Sequence, residues 1–167
     1  MTITSNVRKI ISGGQTGADR AALDFAVLKD IPYDGWISKG RLTEEGPLNP
    51  KYHLQETASG RYEERTERNV MEADGTLIFC REELSGGSLF TLLAAQKHGR
   101  PVLVIRLAGN GSQETSQAET RKWLKRNRIE ILNVAGPRAS KDPGIYGDVF
   151  QFLENLFSDL GIKEGLF

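Results

Sequence analysis

The stretch KIISGGQTGADRAALDFAV, residues 9–27, joins a short apolar run to a helical segment through a turn with three glycines. The first turn of a helix leaves backbone N–H groups unpaired and carries partial positive charge. Glycines let the backbone approach an anion closely because no Cβ stands in the way. The turn therefore predicts a site for a phosphate or similar oxyanion, although a strand-to-helix turn without a ligand has the same pattern. The residues predicted to contribute are Gly13, Gly14, Gln15, Thr16 and Gly17.

The spacing of these glycines differs from that of two familiar phosphate loops. A Walker A loop requires a Gly-Lys-Ser/Thr sequence, which does not follow here. The dinucleotide fingerprint G-x-G-x-x-G does not fit Gly13, Gly14 and Gly17. The turn alone therefore favours an anion without naming the ligand.

Apolar segments of strand length alternate with helical segments along the chain. We expect strands at residues 8–12, 33–38, 75–80, 101–107 and 129–136, and helices at residues 18–29, 61–73, 85–99, 114–126 and 145–160. Such alternation produces a parallel sheet with helices on both faces. We therefore predict a single-domain, Rossmann-like α/β fold over residues 1–167. Residues 39–60, 109–113 and 137–144 are predicted loops, and the long first loop is of a kind that is often functional.

A second glycine turn, SGGSLFT at residues 85–91, also follows a strand and opens a helix. Gly86 and Gly87 free the backbone, while Ser88 and Thr91 offer hydroxyl groups. Open α/β sheets bind ligands at the carboxyl ends of their strands. We therefore expect the two turns, on neighbouring strands, to hold one ligand from two sides.

Basic side chains near these turns predict a local positive site. Arg20 lies one helical turn beyond the first glycine turn, and Lys39 and Arg41 follow the second predicted strand. Ion pairs with Glu44, Glu45 or other surface acids are an equally good interpretation of these cations.

Two further segments have features that favour contact with a ligand. Arg138 and Lys141 follow the fifth predicted strand, where they would bind either an anionic tail or the acids of a neighbouring subunit. Thr66 and Asn69 are three residues apart on one predicted helix, so they share a face that we expect to point toward the pocket.

The composition narrows the class of protein. The chain has 167 residues and a formal charge of zero, with 22 basic and 22 acidic side chains, which argues against a general binder of nucleic acids or acidic membranes. The single cysteine, Cys80, excludes an intrachain disulfide, and no segment reaches the length of a signal peptide core or a membrane span. We expect a cytoplasmic protein. His53, His98 and Cys80 form no recognisable metal-binding pattern, and no catalytic residue is assigned.

Several motifs together resemble the family of molybdenum cofactor carrier proteins. These motifs are GGQTGADRAALDFA, KGRLTEEGPL, TERNVMEADGTLIF, SGGS and LNVAGPRASKDPGIY, and the resemblance runs from about residue 7 to residue 160. The family is similar to a wider Rossmann-like group that includes the lysine decarboxylase-like proteins. The resemblance implies an open α/β sheet, a homo-oligomer (a dimer or tetramer), and binding of the phosphate-bearing pterin of molybdenum cofactor, molybdopterin.

The second turn departs from the related phosphoribohydrolases. Those enzymes resemble this chain but have a P-G-G-x-G-T-x-x-E motif, whose glutamate serves catalysis. This chain has Leu92 and Leu93 where that glutamate would stand. A leucine cannot transfer a proton, so that hydrolase activity is not expected.

The sequence leaves three functions open. The first is a carrier or storage protein for a small phosphate-bearing ligand, with molybdenum cofactor implied by the resemblance. The second is a hydrolase of nucleotides or phosphoribosyl compounds, which would need a carboxylate such as Asp19, Glu44 or Glu67. The third is a nucleotide-sensing module.

Overall fold

A five-stranded parallel sheet forms the centre of the molecule. The structure, a computed structural model, describes residues 6–108 and 114–158. Its strands are β1 (Lys9–Ile11), β2 (Tyr33–Asp34), β3 (Trp36–Ile37), β4 (Leu42–Thr43), β5 (Gly46–Pro47), β6 (Gln55–Glu56), β7 (Gly75–Cys80), β8 (Val102–Arg106) and β9 (Ile131–Ala135). Its helices are α1 (Ala18–Leu28), α2 (Tyr62–Glu72), α3 (Gly86–Lys97), α4 (Glu114–Arg126) and α5 (Ile145–Leu156). The order in the central sheet is β2-β1-β9-β7-β8, and every pairing in it is parallel.

Helices cover both faces of this sheet. On one face, α1, α4 and α5 enclose the main core, in which the Phe79 and Phe152 rings meet edge to face at 5.0 Å. On the other face, α2 and α3 bury a smaller cluster around Val70, Ala94 and Ala95. This arrangement confirms the predicted Rossmann-like α/β fold class. Parallel sheets with unbroken apolar strands need apolar helices on both faces. Within the described residues, every helix is too short or too polar to cross a membrane.

The strand order corrects one expectation about the glycine turns. The turns follow β1 and β7, and these strands are not neighbours because β9 lies between them. Two strand spacings separate the turns by about 10 Å. The loop after β9 therefore emerges between the two turns and contacts the first of them.

The predicted strand at residues 33–38 is interrupted at Gly35. Before it, β2 pairs with β1 in the central sheet, and after it, β3 leaves that sheet and pairs with β6. Gly35 has φ +150°, which side chain-bearing residues rarely adopt, and it packs directly against the carbonyl oxygen of Ser12. One glycine thus divides the predicted strand into two strands of different sheets.

The predicted loop at residues 39–60 contains regular structure. β4 and β5 form an antiparallel hairpin whose two-residue tip is Glu44 and Glu45, and β6 follows it. Segments of two residues are too short for an alternating pattern to be visible in a sequence. The predicted loop at residues 109–113 and residues 159–160 of the last predicted helix lie outside the described residues.

Asn69 joins this region to the sheet. Its side chain accepts a hydrogen bond from the backbone N–H of Trp36 at 2.7 Å and donates one to the Trp36 carbonyl at 3.0 Å. Asn69 is buried, so its amide takes the place of a neighbouring strand for β3.

We expect Asn69→Ala to lower the free energy of unfolding by about 2 kcal/mol, because it leaves both backbone groups of Trp36 without a partner. Urea denaturation measures the change. Asn127→Ala is the matched control, because the Asn127 side chain donates to one carbonyl, that of Trp123, which keeps the Asn127 N–H as a partner. The control should therefore cost about 1 kcal/mol or less. Equal losses in the two variants would contradict the proposed role of Asn69.

Candidate functional site

The three glycines of the first turn face three different neighbours. A Cβ added to Gly13 would lie 2.0 Å from the Arg65 guanidinium, and one added to Gly14 would meet the side chain of Leu54 at 2.9 Å. At Gly17 it would lie 2.4 Å from the carbonyl oxygen of Pro137, in the loop after β9. Packing against the protein therefore accounts for Gly14 and Gly17. Gly13 faces the two side chains of an ion pair, since its Cβ would also lie 3.0 Å from Asp19 Oδ2.

A small cavity opens beside Gly13 at the carboxyl edge of the sheet. It has a volume of about 10 Å³, room for about one water molecule. Its lining comes from the first turn, α1, α2, α3 and β9. The lining residues are Gly13, Asp19, Arg65, Thr66, Asn69, Thr91, Asn133, Val134 and Ala135. Thr66 and Asn69 thus lie at the pocket where the sequence placed them.

A buried ion pair closes this cavity. Arg65 Nη1 lies 3.5 Å from Asp19 Oδ2, and the Asp19 side chain is 6 % exposed. Burial raises the pKa of Asp19 to about 6, although the Arg65 guanidinium and the Gln15 N–H act in the opposite direction. The sequence offered Asp19 as a candidate carboxylate but did not single out Arg65, because an arginine on a helix as rich in charged residues as α2 has no signal that separates it from a solvated residue.

Thr16 of the first turn and two residues of the loop after β9 surround a carboxylate of the protein itself. The hydroxyl of Thr16 donates to Glu44 Oε1, at the tip of the β4–β5 hairpin. The N–H of Ser140 donates to the same oxygen at 3.0 Å, while the Ser140 hydroxyl donates to Oε2 at 2.5 Å. Arg138 Nε lies 3.7 Å from Oε2. Two hydroxyls, one amide and one guanidinium therefore hold a single oxyanion.

Two features show how firmly this carboxylate is held. Glu44 as a residue is exposed, but its side chain is only 17 % exposed. The Ser140 hydroxyl, followed by the Thr16 hydroxyl, holds the pKa of Glu44 below its ordinary value, so the group is anionic at neutral pH. Gln15 supports the arrangement, because its Oε1 accepts hydrogen bonds from the backbone N–H groups of Thr16 and Glu44.

The second glycine turn contributes less to the cavity than the sequence predicts. Gly86 and Gly87 are exposed, Ser88 is half-buried, and none of them lines the cavity. Lys141 does approach this turn, since a Cβ on Gly86 would lie 3.1 Å from its Nζ. Of the segment quoted from the sequence, only Thr91 lines the cavity.

The basic residues do not gather at one point. Arg20 donates to the carbonyl of Gly14 at 3.3 Å and lies 5.5 Å from the centre of the Tyr52 ring. Arg41 donates to three backbone carbonyls, and the hydrogen bond to Tyr52 is 2.7 Å. Lys39 is exposed. Arg138 is the predicted cation that contacts the oxyanion, through Glu44.

The third candidate carboxylate lies elsewhere. Glu67 accepts a hydrogen bond from Lys97 at 3.3 Å and lies 2.7 Å from His98 Nε2, so its carboxylate pairs with the end of α3. Among the described residues, no group of three or more histidine, cysteine, aspartate or glutamate side chains is placed to hold a metal ion.

Comparison with known proteins now adds to this geometry. The sequence model of the circularly permutated YpsA SLOG family matches residues 10–157. The chain belongs to this family. The matched region of the YpsA SLOG chain includes both glycine turns, Glu44 and the loop after β9, and the family resemblance drawn from the sequence is confirmed.

A solved structure is similar over nearly the whole molecule. It is the crystal structure of a protein from Syntrophus aciditrophicus SB, named a putative molybdenum carrier protein. It is 48% identical to this YpsA SLOG chain, covers 92% of it and 96% of its own length, and superposes with a TM-score of 0.88. No curated protein matches the chain.

Proposed function

We propose that the protein binds a small, anionic, phosphate-bearing ligand and acts as a carrier of molybdenum cofactor. The Syntrophus protein is named a molybdenum carrier, and this name supports a molybdenum-containing ligand. The observation that carries the binding role is the Glu44 carboxylate. It is held by Thr16 and Arg138, which the sequence assigned to an external anion, and by Ser140, which the sequence did not single out. Hydroxyls, a backbone amide and a guanidinium are the groups with which proteins hold phosphate.

The same donors fit the phosphate end of the cofactor. Thr16, Ser140 and Arg138 would hold its oxygens, and these side chains would bind and orient the ligand without reacting with it. These three donors do not line the cavity beside Gly13, whose volume of about 10 Å³ holds about one water molecule and neither a phosphate nor a pterin. Gly13, Gly14, Gln15, Gly17 and Arg20 would support this subsite from the first turn, while Lys39, Arg41, Gly86, Gly87 and Ser88 remain proposed contacts.

We expect Thr16→Val to weaken binding of inorganic phosphate and of adenosine monophosphate about tenfold, because a charge-assisted hydrogen bond is lost. Thr16→Ser is the matched control, since it keeps the hydroxyl and should bind like the parent protein. Isothermal titration calorimetry measures both affinities. Equal phosphate affinities in Thr16→Val and Thr16→Ser would contradict this subsite. Native mass spectrometry of the protein purified from its own host identifies the ligand that it carries.

A second candidate function is hydrolysis of a nucleotide or phosphoribosyl compound. The observation that favours it is the buried Asp19 carboxyl, whose pKa of about 6 suits a group that exchanges protons near neutral pH. Release of free base from nucleoside monophosphates by the parent protein, and its loss in Asp19→Asn, would replace the carrier proposal with this one. The third function, nucleotide sensing, would require binding of a nucleotide without release of its free base.

We also propose that the chain is one ligand-binding domain over residues 1–167 and forms a homo-oligomer, a dimer or tetramer. Exposed apolar side chains on α2 and α3 support a subunit interface. They are Tyr62, Met71, Leu89 and Leu93. A concavity of about 450 Å³ adjoins this surface along α2, and no residue of either glycine turn lines it.

A further inference from the structure

We propose that the Glu44 carboxylate occupies the ligand's oxyanion subsite in the free protein, and that an arriving phosphate group displaces it and releases the β4–β5 hairpin. This inference rests on the proposed function, because it concerns the regulation of the same site. It assigns Glu44 a role as an internal competitor for the donors of Thr16, Ser140 and Arg138.

The contacts of Glu44 are those expected of a bound anion. Each carboxylate oxygen has two partners: Oε1 accepts from the Thr16 hydroxyl and the Ser140 N–H, and Oε2 accepts from the Ser140 hydroxyl and lies beside Arg138. A phosphate oxygen accepts the same hydrogen bonds and carries more negative charge. These donors come from the loops that follow β1 and β9, which are adjacent strands, so they meet at one edge of the sheet whether or not the hairpin is present.

The hairpin is suited to move as a unit. Its strands are two residues long, they form a sheet of their own, and Leu42 is 55 % exposed. An isolated two-stranded hairpin has marginal stability in water. The contacts of Glu44 and its backbone hydrogen bond to Gln15 join the hairpin tip to the first turn. Without the carboxylate contacts the backbone hydrogen bond to Gln15 remains, so the tip is loosened while the central sheet keeps its pairing.

Displacement has a measurable signature. The free energy needed to remove Glu44 from the donors is the same for every ligand that takes its place. Weakening the competitor should therefore increase the affinity for different oxyanions by one common factor. A direct contact between Glu44 and part of the ligand would change the affinities unequally.

The test compares Glu44→Gln with Glu45→Gln by calorimetry, using inorganic phosphate and adenosine monophosphate as probes. Both variants remove one negative charge from the hairpin tip, but Glu45 has no side-chain partner among the described residues, so the second variant is matched for charge alone. We expect Glu44→Gln to bind both probes about tenfold more tightly, since neutral hydrogen bonds are weaker than charge-assisted ones. Glu45→Gln should stay within about twofold. Glu44→Ala removes the competitor entirely and should bind at least as tightly as Glu44→Gln.

Hydrogen exchange of the hairpin peptide, residues 42–47, provides a second readout. Phosphate should accelerate exchange there in the parent protein, whereas Glu44→Gln should exchange rapidly without phosphate. If Glu44→Gln binds no more tightly than the parent while Thr16→Val still loses affinity, the binding site stands and the displacement proposal fails. If the parent protein and all the variants fail to bind either probe, both proposals fail.

Discussion

Replacing Gly35 by alanine should lower the free energy of unfolding by about 2–5 kcal/mol. The positive φ costs a residue with a Cβ about 1–2 kcal/mol, and overpacking adds a further 1–3 kcal/mol or so. The new Cβ would lie 2.0 Å from the carbonyl oxygen of Ser12, which is backbone and can move only with β1. Ser12 also supports the first glycine turn, because its hydroxyl accepts a hydrogen bond from the N–H of Gly14. The substitution should therefore weaken anion binding as well.

The variant Gly46→Ala separates the cost of backbone strain from the cost of overpacking. Gly46 also has a positive φ, +98°, but no atom lies within 4 Å of the position of its Cβ. This control should lose about 1–2 kcal/mol, from backbone strain alone. Urea denaturation of both variants gives the difference. If Gly35→Ala were no less stable than Gly46→Ala, the close contact with Ser12 would not be what requires glycine at this position.

The stability of the protein should fall by about 2 kcal/mol, on account of Asp19 alone, as the pH rises from 4 to 7. Burial raises the pKa of Asp19 from 3.8 to about 6 in the folded state. Between these values the folded protein holds a proton that the unfolded chain has released, so stability is highest at low pH and declines through the pKa of the folded state. Arg65 and Arg20 oppose this shift but do not overcome the burial.

Comparison with Asp19→Asn isolates this group from the other titrating side chains. Urea denaturation at several pH values between 4 and 7 should show the difference in unfolding free energy between the parent protein and the variant decreasing as the pH rises. A direct check is the titration of the Asp19 carboxyl carbon by nuclear magnetic resonance, with an expected midpoint near pH 6. A free-energy difference that stays constant with pH would show that Asp19 titrates alike in both states.

Local sequence patterns were sufficient for the elements of the central layers. The predicted strand at residues 75–80 and the predicted helix at residues 114–126 agree with β7 and α4 residue for residue. Both have strong signals, since an unbroken apolar run predicts a buried strand and helical periodicity extends over several turns. The parallel arrangement of the strands was predicted from the alternation of strands and helices along the chain.

The strand order could not be predicted in the same way. Nothing in the residues of β9 states that it pairs with both β1 and β7, because any of the apolar parallel strands could occupy the centre of the sheet. The break at Gly35 was hidden for a related reason. A glycine inside an apolar run suggests a bulge or a close backbone approach, but only the contact with Ser12 identifies which.

The sequence indicated where Gly13 and Thr16 lie in the fold but not which side chains contact them. Both residues follow β1 at the carboxyl edge of the sheet, because helix N-termini and glycine turns are local features. The Glu44 and Arg65 contacts depend on side chains that are 28 and 46 residues away from their partners. A charged residue next to a hairpin glycine or on a polar helix has the same pattern as a solvated surface residue, so no sequence signal distinguishes them.

The central position of β9 has a consequence for synthesis on the ribosome. Until residues 131–135 emerge from the exit tunnel, the nascent chain has a β1–β2 pair and a β7–β8 pair but lacks the strand that joins them. Each pair then exposes an unpaired edge, which can associate with other polypeptides. Folding of the whole sheet is therefore a late event in translation, and both half-sheets are exposed to association until the last strand is inserted.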